Sequence, residues 1–264
     1  MSSLYLSFSD SATMLQRNFQ RALRNPFVIF SSILTPALML VLFFYVLGGS
    51  IAGGLNGGEK GGTEYLNYLL PGIIVLTAAL GAEVTALNVN YDRTENIINR
   101  FRTMPISRGA LSTGHALANV IQTLISIVCI VGIGLLMGFR PNAGLVEWLA
   151  AFGLLALFSL AIAWLAVPLG LIARTPGGAN SLSLIIGFLL PFFSSAFVKP
   201  DTMPDWLQVF VKYQPFTAVT ETLRGLLTGT AIGDNWIYAI SGSVVLAILG
   251  YIFARWAYNR QPSR

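Results

Sequence analysis

Long apolar stretches without a charged side chain alternate with short polar segments along this chain. Four stretches, 25–58, 109–139, 148–173 and 175–198, contain no Lys, Arg, Asp or Glu. Because a helix needs roughly 20 apolar residues to cross a hydrocarbon core about 30 Å thick, these stretches predict membrane-spanning helices. The chain is therefore predicted to be an all-α polytopic membrane protein.

Six transmembrane helices are predicted from the apolar stretches and from the Gly- and Pro-rich segments between them. Their predicted bounds are 27–47, 66–90, 110–137, 148–173, 180–198 and 236–258. These helices and their connections use nearly all of the 264 residues. A single membrane domain, 1–264, is expected, without a separate soluble domain.

The composition supports a membrane protein and excludes several other classes. Hydrophobic residues make up 55% of the chain and charged residues only 10%, against about a quarter charged in soluble domains. The net charge of +5 is spread over the connections rather than gathered in one patch, so no nucleic-acid partner is expected. The single cysteine, Cys129, excludes an internal disulfide and a Cys/His metal site.

The basic residues predict the orientation in the membrane. With a cytoplasmic N-terminus, most of the 16 basic residues lie on the inner side. The basic residues left on the outer side are Lys60, Arg140, Lys199, Lys212 and Arg224. The positive-inside rule then predicts that both termini are cytoplasmic and that the protein lies in the cytoplasmic membrane.

An amphipathic helix is predicted ahead of the first span, over 11–25. Leu15 and Phe19 fall on one helical face, and Arg17, Arg21 and Arg24 fall on the opposite face. Such a helix lies at the membrane interface with its arginines toward anionic lipid. Plain lipid anchoring and contact with a cytoplasmic partner are both compatible with this pattern.

The cytoplasmic segment 92–108 mixes charged and apolar side chains more densely than any other. Ile98, Phe101 and Met104 share one predicted helical face, and arginines alternate with them. A simple positively charged loop would explain the arginines alone. Because aromatic residues, Met and Arg are enriched at protein interfaces, the pattern favours a docking surface for a partner.

The outer segment 199–234 predicts two short helices that enter the outer leaflet and return. Trp206, Leu207 and Phe210 belong to the apolar face of the first helix. In the second, about 217–227, Glu221 and Arg224 stand three positions apart and can form an ion pair. An external cap on a transport pathway and a lid with only a packing role both remain open.

Glu83 is the only acidic residue predicted well inside a span, with Asn88 further along the same polar stripe. A charge at the centre of a helix costs about 2.5–3.5 kcal/mol on insertion scales, so such residues usually face a bundle interior or an aqueous path. A substrate route and a neutral interhelical hydrogen bond are both possible roles. The chain has no G-x-x-x-x-G-K-[ST] sequence, so it is not expected to bind ATP through a P-loop.

Several segments carry a resemblance to a known family. They are the arginine-bearing N-terminal helix, Asn99 to Arg108 (NRFRTMPISR), and the outer stretches 194–198, 203–207, 214–217 and 223–226. Over its whole length the chain resembles the membrane subunits of type-2 ABC exporters, and among them the permeases of daunorubicin-resistance-type drug exporters.

This resemblance implies a type V exporter fold with six spans and a dimer of permeases, here expected to be a homodimer. It also implies two copies of a separate P-loop ATPase on the cytoplasmic face, which bind ATP and Mg²⁺. The chain itself is then a non-catalytic subunit without a bound cofactor or metal. The coupling helix of the family maps onto about 94–104.

Three groups of residues are thereby expected to be functional. The ATPase-coupling interface comprises Arg17, Arg21, Arg24, Arg93, Glu95, Ile98, Arg100, Phe101, Arg102 and Met104. The route between the permeases is expected to involve Glu83, Asn88, Phe192, Phe193, Ser194 and Ser195. The outer cap comprises Trp206, Phe210, Glu221 and Arg224.

The expected function is multidrug efflux or antibiotic resistance through ATP-driven export of an amphipathic drug or a lipid-like substrate. Export of a polysaccharide or glycolipid by the same architecture is one alternative. A stand-alone carrier or channel is another, and inverted internal repeats would be its signature. A non-transporting membrane scaffold is a third.

Overall fold

A computed structural model of the protein describes residues 3–24, 26–48, 61–95, 97, 110–198 and 203–260. The regular structure within these residues is entirely helical. Its helices are α1 Ser3–Arg24, α2 Pro26–Val41, α3 Gly61–Thr94, α4 Ala110–Leu136, α5 Leu145–Ile172, α6 Pro176–Leu184, α7 Asp205–Tyr213, α8 Pro215–Thr228 and α9 Asn235–Asn259. The π-helical turn Leu42–Leu47 extends α2, and α6 continues through the π-helical Ile185–Leu189 into Leu190–Phe192.

Five helices in the described part of the chain are long and apolar enough to cross a membrane. These segments are Ile29–Val46, Glu64–Thr94, Ser112–Leu136, Leu145–Ile172 and Asn235–Asn259. They correspond to five of the six predicted spans. The chain is thus a multi-pass membrane protein.

The remaining predicted span, 180–198, is shorter in the structure and ends early. The apolar helical segment runs over Pro176–Phe192, and residues 193–198 form turns. The Ser194 hydroxyl donates to the Pro191 carbonyl and accepts a hydrogen bond from the Ala196 amide. Because these side-chain bonds compete with the helical ladder, the helix stops near Phe192 rather than at residue 198.

The centre of the bundle is α3. Its residues Leu66, Leu69 and Ile73 are fully buried, and α2, α4, α5, α6 and α8 all pack around it. A close approach between α3 and α5 depends on Gly170, where a Cβ atom would lie 2.4 Å from the Ala86 carbonyl oxygen. The absence of a side chain at Gly170 therefore lets the last turn of α5 lie against α3 at Ala86.

Two short helices, α7 and α8, occur where the outer pair was predicted. The first begins at Asp205 and ends at Tyr213, and an extended Gln214 leads into the second. Proline at position 215 suits the first turn of a helix because its missing N–H has no intrahelical partner there. The second helix ends at Gly229, whose φ of +76° favours glycine.

Candidate functional site

The last turn of α3 carries a fully buried carboxylate, that of Asp92. Arg17 and Arg21 of α1 donate hydrogen bonds to its Oδ1 atom at 3.1 and 2.9 Å. The His115 Nε2 atom of α4 lies 3.0 Å from its Oδ2 atom. Side chains from three helices therefore meet at one carboxylate, and we call these four residues the Asp92 junction.

The exposure of the partners differs sharply across the Asp92 junction. The Asp92 side chain is 0% exposed, whereas those of Arg17 and Arg21 are 31% and 40% exposed. Removing a carboxylate from water costs several kcal/mol unless opposite charges and hydrogen bonds replace the solvent. The arginines supply both, and their side chains remain partly exposed.

This arrangement corrects the predicted orientation of the N-terminal helix. The arginines were expected to face anionic lipid, but Arg17 and Arg21 turn toward α3 because its buried carboxylate needs a counter-charge. Of the three predicted arginines, Arg24 is the exposed one. The helix is seated closely on α4, where a Cβ atom on Gly114 would lie 2.5 Å from the Met14 Cβ atom.

The opposite side of the same α3 turn is tied to α5. Asn90 donates from Nδ2 to the Gly170 and Ala173 carbonyl oxygens, at 2.9 and 2.7 Å. Arg93 also donates to the Ala173 carbonyl oxygen. The end of α3 that leads into the predicted coupling segment is therefore anchored to α1, α4 and α5 together.

The predicted coupling residues are only partly within the described chain. Arg93 is the residue bonded to α5, and Glu95 is exposed just after α3. The other predicted residues of this segment lie outside the described residues: Ile98, Arg100, Phe101, Arg102 and Met104. Their docking role stays a prediction.

A polar cavity of about 420 Å³ opens beside the Asp92 junction, between α1, α2, α3 and α4. Glu83 and Asn88, both predicted for the substrate route, line it from α3. Arg21 and His115 belong to its wall as well as to the junction. A displacement of the α3 end would therefore act directly on the cavity.

The other four predicted route residues lie elsewhere. Phe192 stacks on Phe197, with ring centroids 4.7 Å apart, and Phe193 precedes the buried Ser194 and Ser195 in the turn. The Ser195 amide donates to the Thr217 hydroxyl of α8. None of the four predicted residues lines the polar cavity. The six candidates thus fall into two groups. Two of them line the cavity, and the other four lie in or next to the turn that contacts α8.

Near the other end of α3 a buried arginine joins α8 to the bundle. Arg224 Nη2 donates to the carbonyl oxygens of Tyr68 and Ser195, at 3.1 and 3.2 Å. Its guanidinium lies 3.8 Å from the Tyr68 ring centroid and pairs with Glu221. The predicted Glu221–Arg224 pair is therefore present, and we call this set the Arg224 junction.

The two aromatic residues predicted for the outer cap are exposed. Trp206 is 75% exposed and Phe210 is 49% exposed, whereas Val211 of the same helix is buried. Among the described residues, one edge of α7 packs on the rest of the protein. The aromatic face remains available to lipid or to a partner.

Comparison with known proteins identifies the family. The ABC-2 type transporter profile matches residues 11–228. The chain belongs to the ABC-2 type transporter family. It is 30% identical over 223 residues, 84% of this chain and 76% of the relative, to the daunorubicin resistance ABC transporter permease protein DrrB1 of Streptomyces coeruleorubidus.

Further relatives of this ABC-2 permease come from other lineages. A probable doxorubicin resistance ABC transporter permease, DrrC of Mycobacterium tuberculosis, is 26% identical over 82% of this chain and 77% of its own length. The putative transport permease ycf38 of Porphyra purpurea is 31% identical over 86% and 76%. The chain is accordingly a membrane permease of an ABC exporter.

Sequence reasoning missed Asp92 as a buried charge and assigned it to the cytoplasmic segment. A signal was present in the helical spacing, because Thr85, Val89 and Asp92 follow one another at intervals of four and three and are all buried. Continuing that stripe beyond residue 90 would have placed Asp92 on the buried face of α3. Its partners could not be named from local sequence, since Arg17 is 75 positions away.

Proposed function

We propose that this permease exports an amphipathic drug across the cytoplasmic membrane, powered by a separate P-loop ATPase subunit. The relatives named for daunorubicin and doxorubicin resistance support this substrate class. The proposed assembly contains two permease copies, as a homodimer, and two ATPase copies that bind ATP and Mg²⁺. Both termini are cytoplasmic, and Pro176–Phe192 with the following turn serves as the fifth of the six spans.

One observation carries the proposed mechanism. The anchored end of α3 lies between the predicted coupling segment and the polar cavity, and Arg21 and His115 belong to both the Asp92 junction and the cavity wall. An ATPase pushing on the coupling segment would move α3 together with the side chains bonded to it. Because packed helices move as discrete units, such a shift changes the shape of the cavity.

In this account α8 and the turn before α7 form the outer part of the permease. Backbone carbonyls bonded to Arg224 hold α8 against α3. The exposed aromatic face of α7 lies in the outer leaflet, and α7 with α8 re-enters the bundle there. Together α7 and α8 then form a cap in which α8 is fixed to α3 and the aromatic face of α7 contacts lipid.

The proposal is tested by purifying the tagged permease from its native membrane in mild detergent. A P-loop ATPase is expected to co-elute, and reversing the charges of both Arg100 and Arg102 to Glu is expected to release it. Arg140→Glu, an exposed change on the predicted outer side, is the matched control and should leave the ATPase bound.

Three outcomes would contradict this proposal. Elution of the permease without any ATPase, together with solute movement in ATP-free vesicles, would support a stand-alone carrier. ATPase association unaffected by the double reversal would remove the docking role of the segment. ATP hydrolysis stimulated by a glycolipid or polysaccharide rather than by drugs would change the substrate class.

A further inference from the structure

We propose that the polar cavity inside one permease subunit binds the protonated amine of a hydroxyl-bearing amphiphile, with Glu83 as its counter-ion. This inference rests on the proposed function, because it assumes that the permease accepts an amphipathic ligand. It adds a site within a single subunit, whereas the resemblance implies a route between two subunits. It also specifies the charge that the ligand carries.

Glu83 is the single carboxylate among the described residues that line the cavity. The cavity wall also contains Arg21 and His115, but both are bonded to Asp92. Within the described part of the chain, Glu83 has neither an ion-pair partner nor a hydrogen bond. A carboxylate at this depth of a span calls for a compensating group, and a ligand ammonium provides one.

Two buried polar groups of the cavity wall also have no partner among the described residues. Thr85 is 2% exposed and Gln122 is 9% exposed, and neither the Thr85 Oγ1 nor the Gln122 Nε2 atom is hydrogen-bonded in the structure. Both residues line the cavity. Because buried polar atoms are nearly always hydrogen-bonded in proteins, a rotation of these two side chains toward a hydroxyl or carbonyl group of a bound molecule would be favourable.

The dimensions and the remaining charges restrict the ligand further. A volume of about 420 Å³ falls within the range of pockets that hold drug-sized molecules, roughly 300–1,000 Å³. The cationic side of the Asp92 junction forms another part of the wall and disfavours a second positive charge nearby. A monocation with an apolar body and a few hydroxyl groups satisfies all of these conditions.

The proposal is tested by ligand binding to the purified full-length permease in lipid nanodiscs. Daunorubicin, whose hydroxylated sugar carries one amine, is compared with its N-acetyl derivative, which lacks the positive charge. Charge-assisted contacts predict that the wild-type permease binds daunorubicin roughly tenfold or more tightly than the acetylated compound. Fluorescence titration measures both dissociation constants.

Variants of Glu83 test whether the preference for daunorubicin over its N-acetyl derivative arises at this site. Glu83→Gln is expected to abolish the preference, and Glu83→Asp is expected to retain it. Gln122→Glu, which adds a second carboxylate to the wall, is expected to increase it. The matched control Glu147→Gln, at an exposed site at the start of α5, should behave as wild type.

The proposal is overturned if the wild type shows no saturable binding or binds both compounds equally. It is also overturned if Glu83→Gln keeps the preference for the amine. The binding assay uses the permease alone, so its outcome is separate from ATPase association. If binding shows no charge preference but drugs still stimulate the ATPase complex, the cavity site is wrong and the exporter function is retained. If binding depends on the amine charge but no ATPase co-elutes, the site is retained and the exporter function is wrong.

Discussion

A buried charge occurs near each end of α3, and the two charges have different sets of partners. At Asp92 the buried group is an acid, and its partners are side chains of α1 and α4 that lie 75, 71 and 23 positions away. At Arg224 the buried group is a base, which pairs with Glu221 of the same helix and donates to two backbone carbonyl oxygens. The first junction joins three helices through ionisable side chains, whereas in the second the contacts to other parts of the chain are made to backbone carbonyls.

This contrast assigns different mechanical roles to the two ends. Contacts to backbone carbonyls persist as long as the backbone conformation of α3 and of the turn at Ser195 is unchanged. We therefore expect the Arg224 junction to be a fixed support. The arginines of the Asp92 junction are partly exposed and can exchange Asp92 for solvent or phosphate oxygens. Movement is therefore expected at the Asp92 end, beside the cavity.

The largest expected effect is an all-or-none difference in labelling between the two ends. In a Cys129→Ala background, cysteine replaces either the exposed Glu95 after α3 or the exposed Glu147 in the first turn of α5. A membrane-impermeant maleimide should label position 147 in intact cells and position 95 only after permeabilisation. The opposite pattern would invert the topology and place the Asp92 end outside.

A large loss of stability is expected when the fixed support is removed. Arg224→Met leaves the Tyr68 and Ser195 carbonyl oxygens without this donor, which predicts a decrease of about 3 kcal/mol in the free energy of unfolding. Denaturant titration in detergent measures it. Arg140→Met, at an exposed arginine, serves as control, and equal stability of both variants would contradict a supporting role for Arg224.

A smaller effect is expected at the Asp92 junction because its arginines retain contact with solvent. A double-mutant cycle of Arg21→Met and Asp92→Asn should give a coupling energy of about 1 kcal/mol in the free energy of unfolding. Arg24→Met with Asp92→Asn should be additive, since Arg24 is exposed on the same helix. An equal coupling energy between Arg24 and Asp92 would mean that the cycle measures a long-range electrostatic effect rather than the contacts of the Asp92 junction.

The helices themselves were predictable because their signals are local. The predicted second outer helix, 217–227, compares with Pro215–Thr228, and the spacing of Glu221 and Arg224 predicted their ion pair. The early end of α6 was missed because a hydroxyl of Ser194 diverts the backbone within an otherwise apolar stretch. The local sequence pattern favoured a helix there, but the side-chain hydrogen bond of Ser194 ended it.

The candidate site was less predictable because it depends on which helices become neighbours. Glu83 and Asn88 were predicted as residues of one polar stripe and both line the cavity, while their role in a substrate route stays a prediction. The pairing of Arg17 and Arg21 with Asp92 joins segments more than 70 positions apart. Amphipathic periodicity places arginines on one face of α1. It does not show whether their partner is a buried acid of α3 or a lipid phosphate.

The central claim is that the Asp92 junction connects the ATPase to the cavity. It is tested most directly by drug-stimulated ATP hydrolysis of the purified permease–ATPase complex, comparing the wild type with Asp92→Asn and with the exposed control Asp205→Asn. We expect daunorubicin stimulation to fall roughly tenfold in Asp92→Asn with the ATPase still bound. Undiminished stimulation in that variant would contradict the account.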